Sequence, residues 1–563
     1  MPRAAALLLL PLLAAADDRW LELRSGPFHV LASAGERGGQ ETLGQLEQFR
    51  HVLGTALGKQ ELRSVWPIRV LVVRPDRRAE AVTPPRPGRD AFLGVLHAEA
   101  PVPREWLRAC ALILLEANAS RMPAGIESGL LDFYSTAEMS GTLITLGGPL
   151  PAAERNLDWA RIQLLSVDPK YSGKLRVLLY NLQQGADSEP AFRNAFDKTP
   201  AEIDKEAAAY LAAASFATAT ISGRPLNARR DFRAEPAASP APDLALADLR
   251  LSLGRLAEAR AAYAAILKSQ PGCAEAREGL GLVALREKNA DEARRQLAGA
   301  IEAGSRNARA HLEYARLEPD RAKAAAALRK AAELNPGWSE PHFLLAQRED
   351  DTARKVNALS AAAKLAPRNA AYWRALAEAQ MAASDFRAAS RSWAAAEQAS
   401  IDDAERARIQ QARRSIEAQR LEAEAAARKR EAEETQRELQ RLKDAAMADI
   451  RRAEAKAERA TGGRTEGKVE AWFEGPAPSG KIRGNLRQVD CLRGTARLVV
   501  QGEDGKLTRL VIRDPGKVVL IGGGQLALGC GPQRPPRIVT IEYFPKADPK
   551  LGTAGEVATV EYR

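Results

Sequence analysis

Residues 276–300 read AREGLGLVALREKNADEARRQLAGA, and residues 372–396 read YWRALAEAQMAASDFRAASRSWAAA. In register, Leu280-Gly281, Ala293, Leu297 and Ala300 of the first fall on Leu376-Ala377, Ala389, Trp393 and Ala396 of the second. Apolar residues three and four apart mark amphipathic helices, two to a unit. The small residues let the helices of a unit approach closely, and the larger ones fill the seam to the next unit. Pro271, Pro336 and Pro367 stand near unit ends, each closing a second helix. The spacing between units is about 34 residues.

This pattern resembles the tetratricopeptide repeat family over about Asp243 to Ser400. The middle, about Ala310 to Pro367, must be a few residues short of full-length units. The resemblance implies stacked helix pairs with a concave groove for protein or peptide partners, faced by the first helix of each unit. By offset, Glu275 and Glu278 of one unit and Arg374, Glu378 and Met381 of the last should line that groove.

Outward from the repeats, the 563 residues exceed what one core supports, so several domains are expected. Hydrophobic residues at 45% and charged ones at 28% fit folded protein, and only 5% aromatics suits helices packed with alanine. The +11 net charge is spread along the chain. Nucleic-acid binders concentrate basic charge on one face, and the densest charge here, Glu417 to Arg459, alternates in sign, so no nucleic-acid partner is expected.

The chain starts with Arg3, the apolar run Ala4 to Leu13, and small residues Ala14-Ala15-Ala16 before Asp17. That is the layout of a secretory signal peptide over 1–16. The expectation is an exported protein, periplasmic or extracellular, soluble after removal of the leader and not membrane-spanning. Of four cysteines, Cys110 and Cys273 sit in helical stretches. Cys491 and Cys530 share a β-rich region, where either a disulfide or two core thiols would serve.

Residues 17–221 read as α/β. Phe28 to Ser33, Ile68 to Val73 and Ala91 to His97 are strands; Leu43, Leu46, Phe49, Val52 and Leu53 mark a helix. Helices are expected over Pro103 to Ala119 and Gly125 to Ala137, with further helices to about Thr220. The proline-bearing 222–242 reads as a linker. Residues 401–463 lack proline and end at Gly462-Gly463, a charged helix on the order of 90 Å long. It could stand alone or pair as a coiled coil that makes a homo-oligomer. In 464–563, short strands including Lys468 to Phe473 and the Asp504-Gly505 hairpin signal predict an all-β barrel or sandwich.

The helix around Leu107 to Ala119, the Arg121-Met122-Pro123 turn, and Ile126-Glu-Ser-Gly-Leu-Leu-Asp-Phe-Tyr134 resemble the peptidase MA-like (gluzincin) core over about Trp20 to Leu211. That family binds zinc through His-Glu-x-x-His and a Glu on the next helix, with the first Glu as general base. Carried onto this chain, the two His positions are Arg108 and Leu112, the base is Ala109, and the third ligand is Ser128. None can do that chemistry. The five histidines are His29, His51, His97, His311 and His342, with no two four apart, so no shift of register restores the pair. The resemblance therefore implies a pseudo-peptidase without metal or cofactor.

These readings converge on a multidomain chain: a degenerate peptidase-like α/β domain, a helical solenoid, a long charged helix and a small β-domain. The expected function is an exported, non-catalytic scaffold or adaptor that binds proteins or peptides. An exported hydrolase using other residues and an oligomeric envelope structural protein are the alternatives.

Overall fold

A computed structural model describes residues 20–75, 80–401, 403–461, 476–492, 494–522 and 529–562. The leader 1–16 and the expected strand at Lys468–Phe473 lie outside the described residues. The residues to Gln436 form one compact unit and those from Arg437 a second.

In the first domain, β1 (Leu21–Ser25) and β2 (Phe28–Ala32) make a hairpin, α1 (Glu36–Ala56) crosses over to β3 (Ile68–Val73), and β4 (Thr83–Pro87) precedes β5 (Phe92–His97). The sheet runs β4-β5-β3-β2-β1 with parallel pairing at Val30↔Val70 and Val70↔Gly94. Because side chains alternate across a strand, β3 has two apolar faces. Ile68, Val70 and Val72 meet Leu43, Leu46 and Phe49 of α1. Leu71 and Val73 join Leu31, Leu93 and Val95 on the other face, which is covered by Ala245 and Leu249 from the helical array. A strand apolar on both faces needs two covering layers, and the second is supplied from outside the domain.

Next come α2 (Arg104–Asn118) and α3 (Ala124–Ser135), then β6 (Glu138–Ser140) and β7 (Leu143–Leu146), then α4 (Leu157–Val167), α5 (Lys174–Gln183), α6 (Ser188–Phe196), α7 (Pro200–Ala213) and β8 (Ala219–Ser222). The stretch past Ala137 is thus not all helical: β6, β7 and β8 form a small sheet. Gly129 lets α3 lie against α4, since a Cβ there would sit 2.3 Å from the Asp158 carbonyl oxygen.

The segment 222–242 is not a free linker. It holds α8 (Ala228–Asp231) and β9 (Glu235–Pro236), which joins the main sheet beside β1. Phe232 is buried, and its carbonyl accepts from Gln40 Nε2 at 3.0 Å. Proline suits an edge strand, where one side of the backbone needs no partner.

Among the described residues the array has five helix–turn–helix pairs: α9 (Ala241–Ser252) with α10 (Leu256–Ser269), α11 (Ala274–Arg286) with α12 (Ala290–Glu302), α13 (Ala308–Leu317) with α14 (Arg321–Leu334), α15 (Glu340–Arg348) with α16 (Thr352–Leu365), and α17 (Ala370–Ala382) with α18 (Phe386–Ala399). Asn289, Asn307, Asp320, Asp351, Asn369 and Asp385 cap helix N-termini through their side chains. The repeated positions Leu280, Ala293, Leu297 and Ala300, and Leu376, Ala389, Trp393 and Ala396, are buried in both units. The short middle comes from first helices of 10 residues in α13 and 9 in α15, against 13 in α11.

Helix α19 (Asp403–Thr461) follows, with Ile409 and Ile416 buried against Ala377, Trp393 and Ala396. Leu421, Leu439, Leu442 and Ile450 are at least half exposed.

In the second unit, β10 (Gly480–Leu492), β11 (Thr495–Gly502), β12 (Leu507–Ile512), β13 (Val519–Ile521), β14 (Gly531–Phe544) and β15 (Gly555–Tyr562) form one sheet, β12-β11-β10-β14-β15-β13. Parallel pairing of β12 with β15, Leu510↔Gly555, closes it on itself around Leu486, Leu498, Leu510, Val539 and Val560. Gly505 takes φ +77° in the β11–β12 turn. Cys491 and Cys530 are disulfide-bonded, tying the end of β10 to the start of β14. Cys110 and Cys273 are free and buried.

Candidate functional site

The residues that the peptidase resemblance singled out lie on α2 and α3, but they do not converge as a ligand set. Arg108 Nε donates to Asp132 Oδ1 at 2.7 Å, so the guanidinium is tied to the acid on the facing helix. Leu112 turns outward, 41% exposed, while Ala109 and Ser128 are half-buried. This donor set does not fit zinc: an arginine cation already neutralises the nearby carboxylate, and leucine offers no lone pair. Among the described residues no three His, Cys, Asp or Glu side chains group as a metal site. Cys110 has a thiol pushed well above its usual range by burial, which suits a core residue and not a nucleophile.

Leu112 instead borders a cleft of about 710 Å³ between α2 and the array. Leu112, Ile113 and Phe92 line it together with Trp338, Leu365 and Ile401. The rim is charged but internally paired. Arg368, 3% exposed in its side chain, comes from the connection between α16 and α17. It donates to Glu127 Oε2 at 2.6 Å, to Glu116 at 3.1 and 3.2 Å, and to the Ser120 carbonyl at 3.2 Å. Glu127 also accepts from the Met122 amide at 2.7 Å. At the cleft lining, Trp338 meets Trp66 edge to face at 5.0 Å, and the Val65 carbonyl accepts from Asn335 Nδ2 at 3.0 Å.

The five residues assigned to the groove have separate fates. Glu278 is 1% exposed and paired with Arg89 of the first domain. Arg374 lies 3.4 Å from Glu405 of α19, and Met381 packs with Ile409 and Ile416. Glu275 and Glu378 remain exposed.

Arg89 belongs to a buried polar cluster whose extent the sequence does not reveal. Its Nε donates to Asp248 Oδ1 at 3.1 Å, and Tyr263 OH donates to the same oxygen at 2.6 Å. Arg69 donates twice to Asp90, at 2.8 and 3.1 Å. Burial opposes every charge here. Arg89 and Arg69 outweigh it at Asp90, whose carboxyl is held well below its usual range, whereas burial prevails at Asp248 and lifts its carboxyl above that range. Gly279 permits this geometry: a Cβ there would lie 2.2 Å from the Tyr263 ring, which packs on the glycine and reaches Asp248. Arg89, Asp248, Asn307 and Arg368 carried no motif, and the pairs they make between the first domain and the array join residues 159 to 252 positions apart.

No helix among the described residues is long and apolar enough to cross a membrane. No curated protein matches the chain. Residues 244–308 match the tetratricopeptide repeat family. Among solved structures, a MamA crystal structure is 18% identical, covering 27% of this chain and 93% of its own, with a TM-score of 0.25. YrrB, described as a TPR protein with an unusual peptide-binding site, is 20% identical over 30% of this chain and 91% of its own, with a TM-score of 0.27. Pseudomonas aeruginosa pilF is 18% identical over 32% and 87%, with a TM-score of 0.28. The chain is a multidomain protein with a tetratricopeptide-like helical solenoid and separate β-sheets.

Proposed function

We propose that this chain is an exported, non-catalytic adaptor for protein or peptide partners, and that its first domain is a peptidase-like fold without a working metal site. Export is supported by the layout from Arg3 to Ala16 and by a cystine in the β-domain, which suits an oxidising compartment. Binding is supported by the match of residues 244–308 to a repeat family built for stacking helix pairs.

One observation carries the reading. Leu112, the position to which the peptidase resemblance assigns a metal-binding histidine, opens onto a largely apolar cleft that the array also lines. Loss of the ligand converts a hydrolytic surface into a contact surface. Its occupant is a segment of a partner protein with apolar side chains, because the charges at the rim already satisfy one another.

The test places a photo-reactive residue at Leu112 and, as a control, at Tyr180, which is 63% exposed on α5. Adducts in the native envelope should form at Leu112, not at the control, and disappear in a Leu365→Asp background. Equal labelling at both sites would remove the cleft as the binding surface. Stoichiometric zinc in the purified protein, with turnover abolished by a chelator, would replace the adaptor with a hydrolase.

A further inference from the structure

The groove of the array is not empty: the turn Gly88-Arg89-Asp90 between β4 and β5 enters it. The contacts on this turn, which Gly88 N–H closes by donating to the Ala91 carbonyl at 2.8 Å, are those of a receptor on a bound peptide. Two main-chain carbonyls are read by side chains, Gly88 by Arg309 Nη1 and Arg89 by Asn307 Nδ2 at 3.3 Å. The one long side chain inserts between two carboxylates, Asp248 and Glu278, each 1% exposed. Those carboxylates are themselves held in place. Ser305 Oγ and Asn307 Nδ2 donate to Glu278 at 2.6 and 2.8 Å, and Tyr263 holds Asp248. Only a planar guanidinium can face two fixed carboxylates in this way, so the site discriminates against lysine.

The groove also extends beyond the turn. A cleft of about 220 Å³ beside Gly88 is lined by Leu282, Leu285 and Arg286. Another of about 290 Å³ on the other flank is lined by Trp66, Arg316 and Trp338. The site is thus longer than its present occupant.

We infer that Gly88–Asp90 is a ligand held in cis, and that Asp248, Glu278, Asn307 and Arg309 form a binding site for a turn-forming, arginine-bearing peptide segment that the first domain keeps closed. The turn is covalently attached, so its effective concentration is on the order of millimolar or higher and a free segment of equal affinity loses the competition. Opening the groove requires the turn to leave. This inference rests on Asp248, Glu278, Asn307 and Arg309, none of which lines the apolar cleft at Leu112, and it stands or falls separately from it.

The full chain is titrated with a fluorescent peptide of residues 83–92, and with the same peptide carrying Arg89→Ala. The wild-type protein should bind neither. The Arg89→Ala protein should bind the unsubstituted peptide at least about tenfold more tightly than the wild type does, and should ignore the substituted one. Arg89→Lys keeps a cation against the buried carboxylates and covers the case in which Arg89→Ala does not fold; it should show intermediate binding. Folded variants that bind no better than wild type would reduce the turn to plain interface packing. Wild-type binding as tight as that of the variants would show the groove to be open, and binding indifferent to the peptide's arginine would remove the specificity.

Discussion

At the residue scale, two buried groups have consequences that solution measurements can read. Arg368 pairs with Glu127 and Glu116 and satisfies a loop carbonyl, so its removal leaves the buried Glu127 with only Arg121 at 3.1 Å and the Met122 amide. Arg368→Ala should destabilise the first unit by about 1–3 kcal/mol, seen as a lower urea midpoint at unchanged slope. Adding Glu127→Gln should recover part of that loss, because the two sites are coupled. His29 Nε2 lies 2.8 Å from Glu22, yet burial and then the nearby Arg69 cation outweigh that attraction and lower its pKa to about 4. An unfolded histidine titrates near 6.5, so between those values the unfolded chain holds more protons than the folded one. Stability is therefore full above about pH 6.5 and falls as pH drops toward 4. His29→Gln should flatten this dependence in denaturant titrations across that window.

At the element scale, helix α19 has two regimes. Its root is fastened by Ile409 and Ile416, both 2% exposed, whereas Leu442 is 63% exposed. Truncating a buried isoleucine costs its transfer free energy plus the cavity it leaves. Ile416→Ala should lower stability by about 2–4 kcal/mol, and Leu442→Ala should change it by less than about 0.5 kcal/mol. A large, concentration-dependent effect at Leu442 would instead identify a self-associating helix. The small-residue pattern of the array was readable in the sequence because helix periodicity is local: Ala293, Leu297 and Ala300 predict a buried face, and all three are fully buried. The β6–β7–β8 sheet was not readable, because strands of three and four residues carry too few side chains to establish a period.

At the scale of the whole molecule, the first sheet needs α9 on its open face, so the α/β domain and the array should unfold together. Arg437 onward forms its own unit, and thermal unfolding should show a separate transition for it. The cystine closes a sequence separation of 39 residues, and Cys491→Ser with Cys530→Ser should lower that transition alone, by about 3–4 kcal/mol. Scanning calorimetry with and without reductant checks both statements. By itself the sequence determined the helix pairs of the repeat region, the strands of the β-domain that lie in described residues, and that no two histidines stand four apart, since each rests on residue type and short-range spacing. Tertiary structure alone decided that Glu278 is closed off by Arg89 and that Leu112 faces a cleft beside Trp338. Those pairings join residues 189 and more positions apart, and nothing in a local pattern encodes which distant surface will cover a given face.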